Sequence, residues 1–162
     1  MKQTIEAADH QKHKKREAII AENTAQIAKW DAGEGLWSIE MGGLGPGYEQ
    51  AIQVLIVEMV RDNVSMELAD EPTEEDTKIK ANGLLTDRQQ KWEAFNANFT
   101  KATDKTVHRI DDKCGGFSGA QVGAAKNCAY RILRDGWDAA AKSAPEDRRI
   151  QISNYWPKAE SW

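Results

Sequence analysis

Residues 51–60 (AIQVLIVEMV) constrain this chain more than any other stretch, because only Gln53 and Glu58 interrupt an otherwise apolar decapeptide. As a helix it is apolar nearly all round, and such a helix is stable in water only with neighbours on every side. It is too short and too interrupted to cross a bilayer, which takes about 18 or more consecutive apolar residues. It therefore predicts a central, buried helix that the rest of the chain must wrap. Pro46 suits the first turn leading into it, where its missing N–H has no intrahelical partner to lose.

The wrapping elements are legible as amphipathic helices. Residues 1–30 carry a thin stripe of Ile5, Ile20, Ile27 and Trp30 on a charged background. Lys12, Lys14, Lys15 and Arg16 form a basic cluster there, offset by Glu6, Asp9, Glu17 and Glu22. So thin a stripe must pack on the body or pair with a second copy. Glycines at 33 and 35 end it. Thr86 caps a long helix in which Trp92, Phe95, Phe99, Ala102, Thr106, Ile110 and Cys114 follow spacings of three and four, until Gly115 and Gly116 stop it. Ser118 caps the next, where Ala120, Ala124 and Cys128 recur every fourth residue beside Gly119 and Gly123, a pattern that predicts close backbone approach to a neighbour. A short helix follows around Trp137–Lys142.

Between these, the acidic run 67–76 (ELADEPTEED) reads as a solvated loop and a helix start. Period-two alternation at 36–41 and again at 149–156 predicts two short strands. No internal repeat or low-complexity linker divides the chain. The expected fold is mainly α: a compact helical domain with a small two-stranded β element. Its expected extent is a single domain over 1–162, with an N-terminal charged helix at 1–30 and a helical body at 36–162.

A net charge of −4 argues against a protein built to neutralise phosphates along a nucleic acid, so neither nucleic acid nor a membrane is an expected partner. The N-terminus lacks the apolar stretch of a secretory signal. Cys114 and Cys128 form no CxxC pair and read as reduced, small core residues. Cytoplasmic residence is the expectation.

The most distinctive loop is 42–47 (GGLGPG), set between a predicted strand and a helix N-terminus. Backbone donors of Gly42, Gly43, Gly45 and Gly47, with Tyr48, can present N–H groups to an anion beside the helix dipole. It is not a P-loop, since no Gly-Lys-Ser/Thr follows, and it lacks the G-x-G-x-x-G pattern and βαβ alternation of a dinucleotide fold. The competing reading is a tight turn feeding a buried helix. If the strands pair antiparallel, Arg148 and Arg149 fall beside the loop and complete an anion site. If they pair parallel, Tyr155 and Trp156 fall there and offer stacking surface. His10 and His13 lie one turn apart on a charged helix face and read as solvated. No metal site, cofactor or catalytic residue is expected, because no nucleophile, base and orienting group occur together.

The segments IEMGGLGPGYEQAIQVLIVEMVRD, GGFSGAQVGAAKNCAYRIL and EDRRIQISNYWP together resemble small accessory proteins of tailed bacteriophages and prophages. The resemblance covers roughly 36–61 and 114–158 and carries over no functional residue. It implies residence in the host bacterial cytoplasm and membership of a gene pool that often counters host defence. The expectation is a non-enzymatic, homo-oligomeric protein that sequesters a small anionic, nucleotide-type ligand. One alternative is a protein-binding inhibitor or adaptor that engages a host defence protein through the N-terminal helix and acidic segment. A second is an enzyme whose site goes unrecognised.

Overall fold

The computed structural model describes residues 2–34, 36–37, 49–114, 116–142 and 151–152, with side chains over 15–34, 52–110 and 116–141. Among these the chain forms α1 (Lys2–Asp31), β1 (Leu36–Trp37), α2 (Glu49–Asn63), α3 (Glu74–Ala81), α4 (Asp87–Cys114), α5 (Gly119–Asp135), α6 (Trp137–Lys142) and β2 (Gln151–Ile152). Every residue from Ile52 to Val60 is buried, so α2 is the central helix its composition demands. It packs chiefly on α5 and α4, with α1 closing a further side.

The stripe of α1 keeps the expected Ile27 and Trp30 but runs through Ile19 in place of Ile20. Ile19, Asn23, Ile27 and Trp30 are buried and share one face at spacings of four, four and three, whereas Ile20 is only half-buried. Arg16, read in the sequence as part of a basic cluster, continues that face inward. Its guanidinium donates to the carbonyls of Leu133, Met66 (2.8 Å) and Val64 (3.4 Å). A guanidinium has five N–H donors in a fixed fork, which suits it to converging carbonyls. Burial pushes its pKa below the usual arginine value.

On α4, Phe95, Phe99, Thr106 and Ile110 are buried and Trp92 packs beside them, so the predicted stripe faces the core as far as side chains are described. Thr86 caps α4, its Oγ1 accepting from Gln89 N at 3.1 Å. The acidic run does start a helix. Thr73 and Asp76 make a reciprocal capping box at the head of α3.

On α5 the sequence pattern misleads. A Cβ added at Gly119 or Gly123 would meet nothing within 4 Å, so these glycines serve no close approach. The packing face is Ala125, Cys128, Ala129, Ile132 and Leu133. Ser118 caps it as expected, with Gln121 completing the box.

β1 and β2 pair antiparallel, Leu36 opposite Ile152 and Trp37 opposite Gln151. Two residues on each side form a tie between distant chain segments, not a layer on which helices pack. The helices alone make the architecture. The two-stranded β element expected over 36–41 and 149–156 is, among the described residues, reduced to this tie. No described helix is long and apolar enough to cross a membrane.

Candidate functional site

The α4 stripe and one tyrosine of α5 build an aromatic cluster. Phe95 and Phe99 stack at 5.8 Å between centroids, Trp92 lies 5.6 Å from Phe95, and Tyr130 meets Trp92 edge-on at 6.0 Å. The two phenylalanines are buried, but Trp92 and Tyr130 are half-buried. Their outer surfaces line a groove of about 490 Å³ between α4 and α5. That volume is in the range of small-molecule clefts.

Helical spacing sets the rest of the lining. Asn96 and Thr100 sit one and two turns along from Trp92 on α4, and Lys126, Asn127, Tyr130, Arg131 and Arg134 form one stripe on α5. The side chains of Asn96 and Asn127 are exposed and have no hydrogen-bond partner among the described residues. Their amides are free to donate and accept.

The cations differ in how far they are committed. Lys126 pairs with Asp104 at 2.7 Å. Arg134 lies over the Tyr130 ring, 5.4 Å from its centroid, and holds both Asp135 (2.8 Å) and Glu71 (3.1 Å). Its hydrogen bonds to Asp135 keep the guanidinium firmly charged and lower the Asp135 pKa in turn. Arg131 makes no ion pair with a carboxylate among the described residues; its side chain contacts Cys128 Sγ at 3.9 Å, and its charge acts on Asp135 at longer range. Burial pushes the Tyr130 phenol above the ordinary tyrosine value, and the nearby Glu71 charge adds to this.

Glu71, Tyr130 and Arg134 also line a second groove of about 640 Å³, which runs between α1 and residues 67–71 and includes Ile19 and Leu68. These three residues form the ridge between the two grooves. A larger groove, about 1220 Å³, opens between the starts of α3 and α4. Asp70, Glu74, Glu75, Asp76 and Asp87 outnumber Lys78, Arg88 and Lys91 there, so it disfavours anions. Asp76 is already committed, accepting from Thr73 N and Thr86 Oγ1 at 2.8 Å each.

The arrangement between α4 and α5 can stack a flat ring, hydrogen-bond its edge and neutralise an anion. Among the described residues no group of three metal-ligating side chains converges. His108 is exposed on α4, and Cys128 is a buried thiol whose pKa burial raises. The residues singled out from the sequence, Gly42, Gly43, Gly45, Gly47, Tyr48, Arg148, Arg149 and Trp156, all lie outside the described residues. Sequence reasoning assigned Trp92 to the core and passed over Tyr130. The signal available was the polar stripe Lys126, Asn127, Tyr130, Arg131 and Arg134, whose spacing sets it apart from the packing face of α5. No family model, no curated protein and no solved structure matches the chain.

Proposed function

We propose that this chain is a non-enzymatic phage accessory protein that sequesters a small anionic, nucleotide-type ligand, with the α4–α5 groove as the binding site. The observation that carries the reading is Arg131, a guanidinium with no carboxylate within ion-pair distance among the described residues, beside the half-buried rings of Trp92 and Tyr130. A base stacked on an aromatic side chain gains about 1–3 kcal/mol. A guanidinium supplies paired donors to a phosphate, and the free amides of Asn96 and Asn127 suit the donor and acceptor edge of a base. The phage resemblance supplies the context: a host bacterial cytoplasm, and an immune nucleotide signal as the ligand to be removed. Homo-oligomerisation belongs to the same proposal.

The adaptor alternative asks α1 and the acidic run to be free for a partner. Ile19, Ile27 and Trp30 are already buried, and Met66, Leu68 and Ala69 pack against the core. Those apolar groups are committed to the fold, so an adaptor surface here would rest on the exposed acids Glu67, Asp70, Glu74 and Glu75.

The test is titration calorimetry with cyclic and linear nucleotides, followed by denaturation and recovery of the ligand. Binding at micromolar concentration, release of intact ligand, and a loss of about tenfold or more in both Tyr130→Ala and Arg131→Ala are expected. Altered products would favour the enzyme alternative. No heat with any nucleotide at millimolar concentration would remove the groove from consideration.

A further inference from the structure

We infer that Glu71 is a specificity-determining residue of the α4–α5 groove, one that admits ligands with a single phosphate group and turns away polyphosphates. This rests on the reading of the groove as a nucleotide-type site.

The carboxylate occupies an anion position that belongs to the groove. Glu71 Oε1 lies 3.1 Å from Arg134 Nη1 and accepts from the Tyr130 hydroxyl at 3.5 Å. Its backbone is fixed from both sides. Upstream, Arg16 holds the carbonyls of Val64 and Met66, and Leu68 and Ala69 pack on the core. Downstream, Pro72 restricts Glu71 to extended conformations, and Thr73 is locked into the α3 cap. The fold thus places Glu71 at the rim, where its exposed carboxylate meets Arg134 and Tyr130.

The charge inventory follows. Lys126 is matched by Asp104, and Arg134 by Asp135 and Glu71, which leaves Arg131, felt by Asp135 only at longer range, as the lining cation without an ion pair among the described residues. One phosphate group is satisfied there. Each further phosphate finds no uncommitted cation among the described lining residues and approaches the Glu71 carboxylate instead. Repulsion between such charges grows with each one added, and ions in solution screen it beyond about 10 Å at 0.1 M salt. A polyphosphate also gains less from displacing Glu71 than a cationic site would return, because Asp135 remains on Arg134.

The experiment compares wild type with Glu71→Gln, whose amide keeps the shape and removes the charge. The probes are the four ribonucleoside 5′-monophosphates and their triphosphates, titrated at low salt. Wild type should prefer monophosphates. The variant should gain about tenfold for triphosphates and about twofold for monophosphates, so that the preference falls about fivefold. A merely structural role would shift both classes together. Equal gains, or an unchanged preference, would overturn the assignment while leaving the groove as a nucleotide site. If neither protein binds any of the eight nucleotides, the groove itself is not such a site and the assignment falls with it. Matching circular dichroism and thermal unfolding of the two proteins will show that the exposed substitution leaves the fold intact.

Discussion

The side-chain amide of Asn23 donates to the carbonyl of Ile132 at 3.0 Å, at a position wholly closed to solvent. Its Oδ1 accepts from the backbone N–H of Trp137 at 2.9 Å. One residue of α1 thereby joins the last turn of α5 to the first residue of α6. Helix ends leave such backbone groups without intrahelical partners, and a buried end must find them elsewhere. Replacing this amide with the similarly sized Asn23→Leu removes the acceptor that Asn23 Oδ1 gives the buried Trp137 N–H. Ile132 retains only its bond from Gly136 N. The expected cost is about 2–4 kcal/mol in urea denaturation. A loss under about 0.5 kcal/mol would mean that water reaches the Trp137 amide.

Gly136, at that same junction, has φ of 94°, a region that L side chains rarely adopt. A Cβ there would lie 2.5 Å from Glu22 Oε2. Moving Glu22 aside would cost the bond that its other oxygen accepts from Asp138 N at 2.8 Å. Gly136→Ala should destabilise by about 1–3 kcal/mol. In a Glu22→Ala background the penalty should shrink but persist, because the backbone strain remains when the clash is gone. Complete recovery in the double variant would show that φ contributes nothing.

Arg16→Lys tests whether a charge or a fork of donors is needed. A lysine carries one ammonium and cannot span the three carbonyls of Val64, Met66 and Leu133. Stability should fall by about 1–3 kcal/mol, and hydrogen exchange at residues 64–71 should quicken. Unchanged exchange would mean that apolar packing alone holds this segment.

Two carboxylates pull stability in opposite directions along the pH axis. Burial raises the pKa of Glu58 above its usual 4.5, against the pull of Arg61 and Arg109. A raised acid pKa contributes stability below the unfolded value that is lost as pH climbs through the folded value. Asp76 is depressed below 3.8, first by the Thr73 N–H and then by the Thr86 hydroxyl. Its contribution is present above 3.8 and is lost as pH falls through the lowered value. Glu58→Gln should therefore remove a loss of stability that wild type shows as pH rises above 4.5. Asp76→Asn should flatten the acid limb below 3.8. Denaturation midpoints measured from pH 2 to 7 check both, and parallel curves for wild type and either variant would contradict the assignment for that residue.

What the sequence made legible was apolar periodicity. The run 51–60 announced its own burial, and the spacing of Phe95, Phe99, Thr106 and Ile110 marked the inward face of α4. Arg16 and Asn23 were not legible, because polar side chains read as surface until their partners are known, and those partners are backbone groups about 50 to 117 positions away. Gly119 and Gly123 misled for the opposite reason: small residues are compatible with close packing and equally with open solvent. The groove escaped because Trp92 and Tyr130 each belong half to the core, and a linear pattern does not tell which half of a ring faces outward.

The ties from α1 to the far end of the described helices carry a consequence for how the chain is made. Arg16 bonds Leu133 across 117 positions, Asn23 bonds Ile132 across 109, and Glu22 bonds Asp138 across 116. A ribosome releases α1 first and the residues that complete its buried face much later. Until residue 138 has cleared the exit tunnel, Arg16, Glu22 and Asn23 lack the α5 and α6 partners that tie α1 to the body. Synthesis at about 5–20 residues per second leaves that face bare for several seconds, open to chaperones and to other nascent copies. The helix that comes first in the chain is thus among the last to be secured.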